Sequence, residues 1–92
     1  MTLQQLVREL HWLEWQMRKF EDKYSLRSSD FYAAMEAGQL AEFDDMDQLA
    51  FQEFMEWHGL YKVWLKREKR YHEFLAQQPS IPQLLQQVAI AA

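Results

Sequence analysis

Residues 3–24 read LQQLVRELHWLEWQMRKFEDKY. Their apolar positions are Leu3, Leu6, Leu10, Leu13, Met17, Phe20 and Tyr24, spaced by 3, 4, 3, 4, 3 and 4 residues. At 3.6 residues per turn this alternation keeps every one of them on a single stripe. A seam held for three heptads is the pattern of a helix packed lengthwise on another helix. Thr2 stands just before it with Gln5 three residues on, the spacing of a reciprocal capping box. The spacing therefore predicts a helix over 3–24. Trp12 and Trp15 fall off the seam, so a single packing neighbour would leave both indoles in solvent. Glu14 and Arg18 are placed for an i,i+4 ion pair worth a few tenths of a kcal/mol.

Working outward, Ser28, Ser29 and Asp30 supply hydroxyls and a carboxylate suited to the free N–H groups of a new helix. FYAAMEA follows, and Gly38 can take the left-handed conformation that stops a helix. This predicts a helix of about two turns over 29–37, too short to be stable without docking. Asp45 with Gln48 offers a second capping box. No proline interrupts residues 46–78, which predicts one helix of roughly thirty residues, about 45 Å long. Its core stripe runs through Ala50, Phe54, Trp57, Tyr61, Trp64, Tyr71 and Leu75, broken by Glu68 and widened by Leu60 and Phe74. Phe51, Met55 and Leu65 form a second, weaker stripe, so this helix should touch more than one neighbour. Gly59 inside it is expected to allow close packing. Pro79 ends the helix. Ser80, Pro82, Ile81, Leu84, Leu85 and Val88 then suggest a last amphipathic turn or two. The expected fold is all-α: a long antiparallel helical hairpin over 1–78 with a short helix at the bend. Residues 79–92 form a C-terminal amphipathic tail with a short helix, and the hairpin pairs as a dimer into a helical bundle.

The whole chain has 92 residues, 49% of them hydrophobic and 26% charged, which suits one globular domain. Two Gly and two Pro leave little punctuation for hairpin strands. With no cysteine, disulfides, thiolate metal sites and a cysteine nucleophile are excluded. No apolar run approaches the ~20 residues that span a bilayer, and MTLQQLVREL lacks the basic start and apolar run of a signal peptide. The composition predicts a soluble, cytoplasmic protein.

Chemistry-bearing constellations are absent from the pattern. His11, His58 and His72 have Arg8, Met55 and Lys69 three residues before them, so no Glu-x-x-His pair of a di-iron bundle exists. Glu68 and His72 are one turn apart, better suited to a surface hydrogen bond than to a metal. The run Glu42, Asp44, Asp45, Asp47 lacks the order of a calcium loop. There is no phosphate-binding glycine loop and no Ser/His/Asp set. The expectation is no enzyme, no cofactor and no small-molecule substrate.

Charge is what stands out. The chain holds 14 Asp+Glu against 10 Lys+Arg, a net charge of −4, which argues against nucleic acid as the main partner. Between Arg27 and Lys62 no Lys or Arg occurs, while Asp30, Glu36, Glu42, Asp44, Asp45, Asp47, Glu53 and Glu56 do. KVWLKREKR then places Lys62, Lys66, Arg67, Lys69 and Arg70 against Glu68 alone. A helix dipole accounts for part of this polarity. The remainder is a surface that would attract a basic partner.

FEDKYSLRSSDFYAAMEAGQL followed by DDMDQLAFQEFMEWHGLY resembles small helical proteins of cyanobacteria and archaea. The shared pattern is F-E-x-K-Y, a Ser-Ser-acid cap, F-Y, A-G-x-L, D-D, E-W and L-Y. Here these are Phe20, Glu21, Lys23 and Tyr24; Ser28, Ser29 and Asp30; Phe31 and Tyr32; Ala37, Gly38 and Leu40; Asp44 and Asp45; Glu56 and Trp57; Leu60 and Tyr61. The resemblance covers residues 20–75. Such proteins often have Gly after the Tyr, where this chain has Ser25. They are often encoded beside a small TumE-type toxin, a presumed ribonuclease, so the resemblance implies an antitoxin. Asp44, Asp45, Asp47 and Glu56 would occupy the toxin's basic groove, and Trp12, Trp15 or the 79–92 tail would lock the complex. The competing expectation is a homodimeric structural or adaptor protein without a toxin.

Overall fold

The computed structural model describes residues 1–40 and 48–77, together with positions 82, 85 and 86. The described residues are all-helical: α1 (Leu3–Tyr24), α2 (Ser28–Glu36) and α3 (Gln48–Ala76). None of these helices is long and apolar enough to cross a membrane. The capping box expected from Asp45 lies outside the described residues. So does most of the tail, of which Pro82, Leu85 and Gln86 are helical.

α1 starts as its sequence requires. The Thr2 N–H donates to Gln5 Oε1 at 2.9 Å and the Gln5 N–H donates to Thr2 Oγ1 at 3.1 Å. It ends at Ser25, a non-glycine residue in the left-handed region at φ 53°. Along the seam Leu6, Leu10, Leu13, Met17 and Phe20 are buried. Contacts with α3 run in opposite order along the two sequences. Tyr24 meets Glu53 and Phe54, Phe20 meets Trp57, Glu14 meets Trp64 and Glu9 meets Arg67.

The centre of the fold is Trp57, the one buried residue of α3. Its ring stacks on Phe31 of α2 with centroids 3.9 Å apart and planes within 6°, and on Phe20 and Tyr24 of α1 at 5.8 and 6.0 Å. A buried indole N–H needs an acceptor. Trp57 Nε1 donates to Ser28 Oγ at 2.8 Å, and Ser28 Oγ donates to Glu21 Oε2 at 2.9 Å. The same carboxylate oxygen accepts the Ser28 N–H at 2.7 Å. A side chain of α1 therefore satisfies the start of α2, which has Arg27 at its N-cap and no cap bond of its own. Ser28, expected as a helix cap, is instead a buried relay between two helices. α2 ends with Gly38 at φ 72°, as the sequence predicts.

Two expectations for the long helices are corrected. Glu14 does not pair with Arg18; it accepts from Trp64 Nε1 at 2.9 Å, because a half-buried indole N–H gains more from a carboxylate than an exposed ion pair does. α3 touches both α1 and α2, as expected of a helix with two apolar sides, and Phe51, Met55 and Leu65 are exposed on the single chain. At Gly59 a Cβ would meet nothing within 4 Å, so no close approach requires glycine there.

Candidate interaction surface

Of the four described carboxylates of the acidic stretch, Asp30 and Glu53 meet a cation and Glu36 meets an imidazole. Arg27 Nε donates to Asp30 at 3.3 Å and His58 Nε2 lies 2.9 Å from Glu36. Lys23 Nζ donates to both Glu53 oxygens at 2.7 and 2.9 Å, and the Tyr24 hydroxyl donates to Glu53 at 2.5 Å. The Lys23 ammonium, then the Tyr24 hydroxyl, hold the Glu53 carboxyl below its ordinary value. The expectation of eight uncompensated carboxylates is thus overturned for Asp30 and Glu53. Arg27 and Asp30 are three residues apart, whereas Lys23 with Glu53 and His58 with Glu36 are 30 and 22 residues apart, beyond the reach of local spacing. Glu56 is exposed. Asp44, Asp45 and Asp47 lie outside the described residues.

Trp12 and Trp15 are exposed at 57% and 67%. They sit on the side of α1 turned away from the Leu/Met seam, as their spacing requires. Trp12 also walls an open cleft of about 430 Å³ between α1 and α3, floored by Leu13 and Val63 and edged by Arg8, Glu9 and Arg67. A second cleft on the same flank is lined by Lys19, Phe20, Lys23, Leu49, Glu53 and Glu56. The opposite flank of α3 is covered by α2, where Tyr32 stacks on His58 at 5.1 Å and meets Tyr61 in a tilted contact at 4.9 Å. Burial there pushes the Tyr61 hydroxyl up, helped by Tyr32, Glu68 and Asp30. Among the described residues, one flank of the α1–α3 pair is therefore closed by a third helix and the other is open.

Val63 and Leu49, both exposed on the open flank, drew no notice from the sequence. Each lies one residue before a core position (Trp64 and Ala50), and that adjacency was the available signal. Of the basic run, Arg67 Nε donates to Glu9 at 2.5 Å and Arg70 pairs with Glu73 at 3.4 Å, while Lys62, Lys66 and Lys69 are exposed. His72 Nε2 lies 3.2 Å from Glu68. Among the described residues no group of three or more His, Asp or Glu side chains could hold a metal ion.

These features define an all-helical fold over the described residues. Comparison with known protein families, with characterised proteins and with solved structures gave no match.

Proposed function

We propose that this chain is a non-enzymatic protein-binding module, the antitoxin partner of a basic toxin ribonuclease. In this reading the chain is an antiparallel helical hairpin that pairs with a second copy and works in the cytoplasm. Asp44, Asp45, Asp47 and Glu56 stand in for RNA phosphates against the toxin's Lys and Arg side chains. The observation that carries it is the pair of exposed indoles, Trp12 and Trp15. Two large aromatics held in water on one helix face are the usual anchors of a protein interface. Charge would set the encounter rate and the aromatic contacts the lifetime.

The test is co-expression with the neighbouring gene, capture of its product and rescue of growth. Reversing Asp44 and Asp45 to Lys is expected to slow association several-fold and flatten its salt dependence, with helix content unchanged. If no neighbour is toxic and no basic protein is retained, the antitoxin reading falls. The same exposed indoles then favour the second reading, a homodimeric structural or adaptor protein.

A further inference from the structure

The open flank carries its own pattern. On α3 the positions just before and beside the core seam recur every three or four residues from Leu49 to Phe74, a heptad stripe of seven turns. None of its residues is buried. Its first half carries acids, its second half bases, and its ends and middle are apolar. Laid antiparallel against itself, the stripe matches in every layer: Leu49 with Phe74, Glu53 with Arg70, Glu56 with Arg67, Leu60 with Val63. The residue numbers within each pair add to the same total, so all four pairs share one two-fold axis between Tyr61 and Lys62.

We propose that this flank is the interface with a second copy of the chain, α3 packing antiparallel on α3 in that register. It deepens the dimer reading above and reassigns Glu56 and Trp12 from a foreign partner to the second copy, leaving Trp15 outside the interface. Parallel pairing would set Glu56 against Glu56 and Arg67 against Arg67 at once, so charge selects the antiparallel arrangement. The cleft walled by Trp12 lies beside Val63, next to the axis. The two Trp12 rings thus come together at the centre of the interface with the charged layers outside them, the anatomy expected of an aromatic anchor. Arg67 and Glu53 keep their bonds to Glu9 and Lys23, so each new pair joins an existing one and forms a small network. α2 lies on the other flank and is not displaced.

Sedimentation of the full chain from low to high micromolar concentration reads the dimer directly. Glu56→Arg and Arg67→Glu should each weaken it about tenfold or more, since symmetry places every like-charge contact twice. The double variant should recover most of the loss, with helix content by circular dichroism unchanged throughout. The chain has no cysteine, so introduced thiols report register: Glu56→Cys mixed with Arg67→Cys should form a mixed disulfide, and Glu56→Cys alone should not. A monomer at all concentrations overturns the proposal and the dimer reading together, and leaves the flank to the 79–92 tail or a foreign protein. A dimer indifferent to both charge reversals, or one in which Glu56→Cys links to itself, overturns the surface and register while the dimer stands. Toxin capture is read separately, by whether the neighbouring gene's product is retained.

Discussion

α1 and α3 pack against each other, yet they are built differently. The 22 residues of α1 bury five side chains; the 29 residues of α3 bury Trp57 alone. α1 carries its seam in Leu, Met and Phe, which lose nothing by leaving water completely. α3 carries the facing seam in Tyr and Trp, whose polar tips keep one edge at the surface. Tyr61, Trp64 and Tyr71 are half-buried as a result. An aliphatic seam is thus finished by one neighbour, whereas an amphipathic aromatic seam spreads across its neighbour and leaves flanks to be covered by something else. α2 covers one flank of α3, held there by the Trp57–Ser28–Glu21 chain of hydrogen bonds.

This contrast predicts that α3 is fixed at one point and α1 along a line. Trp57→Ala should cost about 3–5 kcal/mol, and Leu10→Ala less, about 2–3 kcal/mol. The first is a large part of the ~5–15 kcal/mol that a small domain has, so α2 should lose its dock and the chain should unfold at much lower urea. Urea titrations followed by helix content check the ranking. If Leu10→Ala is the costlier change, stability is spread along the seam and Trp57 is not the anchor.

Much of α1 was legible because its signals are local. The Thr2–Gln5 box and the three-four spacing of Leu6 through Phe20 set its bounds and its buried face without reference to anything else. The exposure of Trp12 and Trp15 followed from the same helical angle. What lay hidden depends on residues far apart in sequence. Glu21 serves as the cap of α2 only because the turn at Ser25 folds the chain back on itself. Glu53 looks unpaired until α1 brings Lys23 beside it, thirty residues away. The open flank was missed for a related reason: Leu49 and Val63 read as strays beside the core stripe, and only the position of α2 shows which side of that stripe is left uncovered.

Gly59 sharpens the contrast from the solvent side of α3. The sequence suggested a close approach there, but a Cβ would meet only open space. Glycine within a helix costs about 1 kcal/mol relative to alanine through lost backbone entropy. Gly59→Ala should therefore stabilise the chain by about that amount and raise the melting midpoint by roughly 4–8 °C. An equivalent loss would mean that another chain packs tightly on that face.

The smallest effect is expected where the end of α1 meets the start of α3, at Glu53. Its folded-state pKa is depressed, first by the Lys23 ammonium and then by the Tyr24 hydroxyl. A depressed carboxyl contributes stability that is fully present above its unfolded pKa of about 4.3 and disappears as pH falls through the lower folded value. Glu53→Gln removes that contribution at neutral pH and has nothing to lose in acid. The difference in urea midpoint between the two proteins should therefore be constant from pH 7 to about pH 5 and close toward zero below the carboxylate range. Because the Lys23 ammonium is half exposed, added salt should shrink the neutral-pH difference as well. A difference that persists at pH 2, or that ignores salt, would place the role of Glu53 in packing against Tyr24 rather than in charge. The tie between the two helices at this end would then be aromatic, as it is at Trp57.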